Sequence, residues 1–373
     1  MTETLKRTHL YEWHLNHGGR IVPFAGWEMP VQYATGPTQE HHATRQAAGL
    51  FDIDHMGQIE VRGSDAEAFV NQMVSYDVGL INMHEAHYAI LCYQDGTCID
   101  DLFVYKLPDP EFGFKLFLAV NASNREKDFT WLNMHARGFD VQVDDISDET
   151  YMLAFQGPKA TEILDRLAEA DLNAVQRFTA VQTKLFNDVP VLLGRTGYTG
   201  EDGFELFLPA KSAVQVWEGI LKAGEAEGVL PIGLAARDSL RFEASMPLYG
   251  HEISAAITPL EARLGFALSL DKPFSGREAL LKQKLEGPLQ LLVGFEMVER
   301  GVPREHYRVL HEGVEVGHVT SGMFSPTTNR YLGMALVKSE LAKVGVEIEI
   351  EIRGKPVKAK TIKRPFYVPA YRR

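Results

Sequence analysis

Two cysteines, Cys92 and Cys98, are all that 373 residues contain. That is too few for a disulfide framework and, without a matching histidine pair, a poor zinc site. They read as reduced thiols in a strand pair, which suits a reducing compartment. Positive charge is also short: Lys+Arg number 38 against 50 Asp+Glu, for a formal net charge of -12. A general nucleic-acid binder is thereby disfavoured, because such proteins carry a basic footprint. No apolar run reaches the roughly 18 residues that a membrane span needs. The first ten residues are polar and mixed in charge, without the apolar core of a signal peptide. The expected location is the cytoplasm, or an organelle after loss of a presequence. What remains is 45% hydrophobic and 24% charged, an ordinary soluble composition. The length allows two or three domains with a sizeable core.

The densest stretch runs from Arg195 to Glu205. It sets Gly197, Gly200 and Gly203 close together, which permits backbone turns that a residue with a Cβ resists. The following Phe204-Glu-Leu-Phe-Leu208 reads as a strand, with Phe204, Leu206 and Leu208 on one face and Glu205 beside Phe207 on the other. Both faces are largely apolar, so the Glu205 carboxylate needs a partner. Either it reaches water from an edge strand, or a flexible loop frames a pocket in which it accepts paired N–H groups of a ligand.

Elsewhere the pattern mixes strands and helices without strict βαβ alternation, which predicts an α+β fold. The glycine loop leads into a strand rather than a helix, so it is not a dinucleotide fingerprint. Thr8–His17 reads as a short helix stopped by Gly18-Gly19. A helix within 37–49 carries His41, His42 and Arg45; adjacent histidines point about 100° apart, so a solvated face is expected rather than a chelating pair. Leu50-Phe-Asp-Ile-Asp-His-Met56 reads as a strand in which His55 is a core histidine bonded to a carboxylate, or a general base. Ser64 caps a helix to about Val74, with Glu67 at the capping-box position. Strands on either side of Asp95-Gly96 form a hairpin. Adjacent Asp100 and Asp101 then face opposite ways, so they cannot share a proton, and at least one is desolvated among Leu102 and Phe103. Arg237 and Arg241 lie at i, i+4 on one helix, suited to clamping a ligand carboxylate or anchoring internal acids. After Gly287-Pro288 come short strands near 290–297, 307–311, 315–320, 332–337, 346–352 and 356–363, as in a small barrel.

Several pieces in this order match a known family. They are Phe24-Ala-Gly-Trp27, Leu50 to Met56, Ile99-Asp-Asp-Leu102, Phe155-Gln-Gly-Pro158, Arg195 to Glu205, Ala236-Arg-Asp-Ser-Leu-Arg241, Leu248-Tyr-Gly250, Thr320-Ser-Gly322, Phe324-Ser-Pro326 and Pro365-Phe366. Over nearly its whole length the chain resembles the aminomethyltransferase of the glycine cleavage system, its T-protein. The resemblance implies three domains around a central opening for tetrahydrofolate, the last a C-terminal β-barrel. The corresponding division is 1–50 with 140–284, then 51–139, then 285–373. It also implies a monomer that uses tetrahydrofolate as co-substrate. The donor would be an aminomethyl group on the lipoyl arm of a carrier, the H-protein, and the products methylene-tetrahydrofolate and ammonia. Carried over by motif, Asp101 lies near the reacting folate nitrogen, Glu205 pairs with the pterin N–H edge, and Arg237 meets folate. Tyr88, Met56 and Tyr198 line the pterin slot, and Tyr371 with Arg372 or Arg373 closes the pocket.

Those residue types suit that chemistry. A carboxylate accepts the planar donor pair of a pterin in fork fashion, and a guanidinium meets the folate carboxylates bidentately. Methylene transfer passes through a cationic, iminium-like species, which a nearby carboxylate stabilises and deprotonates; losing such a group commonly costs about 2.7–4 kcal/mol of barrier. Three positions depart from the family, which usually has Ser at Asp54 and Gly at Thr97 and Ser245. Asp54 adds negative charge beside His55 and predicts a raised histidine pKa. Two other readings share the scaffold. One is a tetrahydrofolate-dependent demethylase of a sulfonium or aryl methyl ether. The other is a non-transferring iron–sulfur assembly factor, whose Lys-Gly-Cys segment is here Lys272-Pro-Phe-Ser-Gly-Arg-Glu278, without cysteine.

Overall fold

The computed structural model describes residues 4–372. By internal contacts the chain forms two compact units that interleave along the sequence. The first comprises the residues through Val70, Val78–Tyr88 and Leu102–Leu240; the second comprises Asn71–Asp77, Ala89–Asp101 and the residues from Arg241 on.

The first unit is built on a six-stranded sheet ordered Ala180–Leu185, Val189–Gly194, Gly203–Pro209, Thr150–Gln156, Gly49–Asp52, Leu230–Ile232. Every pairing is antiparallel except the last. One core face collects Phe204, Leu206 and Leu208 with Tyr151, Leu153 and Phe155. Against it packs the helix Ala213–Ala223, whose Ala213, Val216, Trp217 and Ile220 recur at helical spacing. The opposite face holds Phe207, Tyr105, Phe117 and Ile53. The first unit also holds most of a five-stranded sheet ordered Ala86–Cys92, Cys98–Asp109, Gly113–Val120, Gly57–Arg62, Gln142–Asp145. Strand Gly203–Pro209 is thus third of six, and the edge-strand reading of Glu205 does not hold.

Polar side chains redirect two helices. The predicted solvated face of helix Pro37–Gln46 is instead built inward, with Glu40, His41 and Thr44 buried. Glu40 accepts the backbone N–H groups of Tyr33 at 2.6 Å and Gly233 at 2.7 Å, and His41 Nδ1 lies 2.7 Å from Ser239 Oγ. Helix Ala66–Met73 begins beyond the expected cap. Ser64 donates to Asp140 and Glu67 pairs with Lys106, so neither forms the capping box.

In the second unit the predicted strands close into a six-stranded barrel: Gln290–Met297, Arg330–Lys338, Val314–Ser325, Arg308–His311, Glu347–Ile352, Lys355–Ile362. Its interior is filled by Phe295, Val319, Ala335, Val337 and Ile350. The α+β class with a terminal barrel therefore stands. No helix among the described residues is long and apolar enough to cross a membrane.

Candidate functional site

The glycine stretch is clamped, contrary to the expectation of a flexible loop. Arg195 pairs with Asp202 at 2.6 Å, and Arg177 reaches the same carboxylate at 3.2 Å. Arg45 bonds Glu201 at 2.9 Å and the Thr199 carbonyl at 2.7 Å. Gln156 Nε2 donates to the carbonyls of Thr196 at 3.0 Å and Phe204 at 3.2 Å. A Cβ at Gly197 would sit 1.9 Å from the Gln156 amide oxygen, so glycine here serves close approach rather than mobility.

Glu205 emerges from this clamp at the middle of the sheet, only 9% exposed. Its register partners are the small residues Ala154 and Gly194, and the Tyr105 ring fills the place beside Gly194. Thr196 Oγ1 donates to Oε2 at 2.5 Å and Tyr105 OH donates to the same atom at 3.3 Å, the two hydroxyls lying 2.7 Å apart. Among the described residues none donates to Oε1. Burial pushes the Glu205 pKa up, against the opposing pull of Thr196, the Arg237 charge and Tyr105. Thr196 and Tyr105 escaped the sequence reading. Thr196 lay inside the stretch singled out, but the reach of Tyr105 spans 100 positions.

Four other expected residues lie in the same unit. The Arg237 guanidinium sits over the Tyr198 ring, 4.8 Å from its centroid, a cation–π arrangement. Tyr88 packs edge-on against Phe103 at 5.8 Å, and Phe103 meets Tyr105 at 6.3 Å. Met56 packs against the core that contains Tyr105. Glu205, Arg237, Tyr198, Tyr88 and Met56 are therefore linked directly or through Tyr105 and Phe103, apart from Arg237 and Tyr198, whose link to Glu205 is the field of the Arg237 charge.

His55 departs from expectation. Its pKa is pushed down to about 4, first by burial and then by the charge of Arg237, with Asp52 opposing. Its Nδ1 is buried without a hydrogen-bond partner. The anticipated raising by Asp54 fails because Asp54 is itself driven up to about 8, by burial and then by the charge of Asp52. A buried, carboxylate-bonded histidine is found instead at His14: its Nε2 lies 2.9 Å from Asp52 Oδ2 and its Nδ1 2.8 Å from Tyr33 OH. Thr8 Oγ1 also donates to Asp52 at 2.7 Å.

The remaining candidates lie in the second unit. Asp100 is fully buried and Asp101 half-buried on strand Cys98–Asp109, the alternation expected of neighbours. Tyr371 is 39% exposed, with the Arg372 guanidinium 5.6 Å from its ring centroid. Arg373 lies outside the described residues. Arg241 takes the internal-anchor role: it is buried and pairs with Glu252 at 3.0 Å.

Comparison with known proteins agrees along the whole chain. Residues 10–272 match the GCVT N-terminal domain, and residues 291–367 match the glycine cleavage T-protein C-terminal barrel domain. An aminomethyltransferase of Alkaliphilus metalliredigens is 46% identical over 373 residues, covering 100% of each chain. One from Geobacillus kaustophilus is 48% identical over 365 residues, covering 97% of this chain and 99% of its own. Among solved structures, the glycine cleavage system aminomethyltransferase T from Bartonella henselae superposes with a TM-score of 0.90 at 34% identity, covering 98% of this chain and 99% of that one.

Proposed function

The chain belongs to the glycine cleavage T-protein family, and we infer that it is the aminomethyltransferase of that system, a one-carbon transferase. It takes the aminomethyl group from the lipoyl arm of an H-protein carrier and passes the carbon to tetrahydrofolate. Methylene-tetrahydrofolate, ammonia and dihydrolipoyl carrier are the products. The observation that supports a pterin at this site is the Glu205 carboxylate. One oxygen is held by two hydroxyls, while none of the described residues donates to the other. A planar N–H pair on a ring meets such a carboxylate well.

In this reading Glu205 fixes the pterin edge, with Thr196 and Tyr105 fixing Glu205. Tyr198, Tyr88 and Met56 supply apolar walls for the ring. Arg237, braced on Tyr198, meets the folate carboxylates. Asp101 is assigned the reacting nitrogen, where a carboxylate stabilises developing positive charge and accepts the proton. Tyr371 and Arg373 are assigned the closing of the pocket. The division into segments 1–50 with 140–284, 51–139 and 285–373 belongs to the same proposal.

The test is product identification. The protein is incubated with tetrahydrofolate and an aminomethyl-loaded lipoyl carrier, and in parallel with dimethylsulfoniopropionate or a methoxy-aromatic. Methylene-tetrahydrofolate and ammonia from the first mixture alone are expected; 5-methyl product from either of the others would replace this reading. Asp101→Asn is expected to keep folate affinity within about threefold while turnover falls about a hundredfold or more. Equal loss of both would remove Asp101 from the reacting nitrogen.

A further inference from the structure

The second unit contains a cavity of about 250 Å³ to which none of the roles above is attached. Its walls include Leu292 and Thr361 of the barrel, and four cationic side chains: Arg263, Lys343, Lys363 and Arg364. Among the described residues no carboxylate lines it. Among the described residues none of the four makes an ion pair with an acid, although acids outnumber bases in the chain by 50 to 38.

The two arginines converge. Arg263 Nε donates to the Leu292 carbonyl at 2.9 Å, and Arg364 Nη2 approaches the same oxygen at 3.4 Å. Arg263 Nη2 donates to the Ala342 carbonyl at 3.0 Å, while its Nη1 has no acceptor among the described residues. A guanidinium offers five N–H donors, so both retain unused capacity. Arg263 also holds a left-handed backbone, with φ of 62°, a conformation that is strained for a non-glycine residue. Arg364 stays cationic at neutral pH although burial, and then the neighbouring Arg263, lower its pKa to about 10. Among the described residues, the one carboxylate that acts on Arg364, Glu252, is already engaged by Arg241, Thr320 and Ser321.

A cavity of the first unit shows the opposite arrangement. There Arg62 pairs with Asp144 at 2.7 Å, and Arg125 with Asp145 at 2.7 Å and Asp148 at 2.9 Å, so the wall neutralises itself. The second-unit cavity does not. Two guanidiniums sharing one carbonyl repel each other unless an anion lies between them.

We propose that the cavity between Arg263 and Arg364, flanked by Lys343 and Lys363, is a binding site for a multivalent oxyanion. Paired guanidinium forks suit phosphate and carboxylate oxygens alike, and the two sources separate by experiment. Calorimetric titration of the full chain in a low-salt, chloride-containing buffer uses pyrophosphate in one arm and citrate in the other. Either anion should saturate one site per chain, and the tighter of the two identifies the source. Arg263→Gln should weaken that binding about tenfold or more, the effect of losing one charge-assisted hydrogen bond. Lys343→Gln with Lys363→Gln, both on exposed side chains, should weaken it about threefold or more without changing the thermal transition of the free protein. Arg237→Gln, placed in the proposed folate site, should leave it unchanged. The assignment is overturned by an absence of saturable heat in both arms. Parental affinity in both the Arg263 and the lysine variants would overturn it equally, as would loss in Arg237→Gln alone.

Discussion

Asp54 shows how far one side chain can be moved from its ordinary chemistry. It is buried beside Asp52, and the two carboxylates divide their roles. Burial would raise the Asp52 pKa too, but the bond and charge of His14, the Thr8 hydroxyl and the Asp54 N–H outweigh it, so Asp52 stays ionised. Asp54, with little beyond the Met152 N–H at 3.3 Å, is raised to about 8 and stays protonated at neutrality. A carboxyl whose folded pKa exceeds its unfolded value binds more protons when folded. Its contribution to stability is therefore complete below an unfolded value near 3.9, and fades as pH rises through 8. Asp54→Asn removes that dependence. Urea midpoints at pH 5 and pH 8 should show the parent losing ground to the variant, by about 1.4 kcal/mol for each pKa unit realised; parallel profiles would place Asp54 in contact with water. Ser245 is a second strained residue, held at φ 55° with its hydroxyl buried and unbonded. Ser245→Gly should raise the unfolding free energy by about 1 kcal/mol, read from the same urea curves.

At the level of the element, the strand Gly203–Pro209 positions Glu205 through its neighbours rather than through its own sequence. Gly194 opposes Glu205 in the adjoining strand, and a Cβ there would lie 2.9 Å from the Tyr105 ring and hydroxyl. Tyr105 is fully buried and has no room to retreat. Gly194→Ala should therefore displace the Tyr105 hydroxyl from Glu205 and weaken folate binding about fivefold, the order of one hydrogen bond. Tyr105→Phe should do the same, with far-ultraviolet dichroism unchanged in both. Parental affinity in both variants would separate the hydroxyl from the site. Such neighbours mark the limit of legibility. The barrel strands, the Asp95-Gly96 hairpin and the apolar faces around Glu205 were readable because alternation and turn chemistry are local. The inward face of helix Pro37–Gln46 was not, because His41 and Arg45 read as solvated until their partners Ser239 and Glu201 arrive from more than 150 residues away, and Glu40 drew no notice before its bond to the Gly233 N–H. The His14–Asp52 pair was hidden likewise, and His55 received the role in its place.

Across the whole molecule, chain order and spatial grouping diverge, and buried polar bonds hold the divergence in place. Segment Asn71–Asp77 joins the second unit. There Ser75 donates to the Ala267 carbonyl at 2.7 Å and Lys272 to the Val74 carbonyl at 2.6 Å. Desolvation lowers Lys272 to about 8, with Asp77 and Cys92 opposing, yet it remains a donor to the Val74 and Asn71 carbonyls. Another such tie is Arg241 with Glu252. Both are buried, and Glu252 also accepts from Thr320 at 2.7 Å and Ser321 at 2.6 Å, which fastens segment 241–252 to barrel strand Val314–Ser325. An ion pair in this setting adds little net stability over an apolar pair, but removing one partner strands the other charge. Glu252→Leu should thus cost about 3–5 kcal/mol, and Arg241→Met a similar amount. The double variant Arg241→Met with Glu252→Leu should recover most of the sum, because no uncompensated charge remains. Urea midpoints of the four proteins form a double-mutant cycle. A coupling near zero would mean that water already screens the pair and that the barrel is held by its hydrophobic contacts alone.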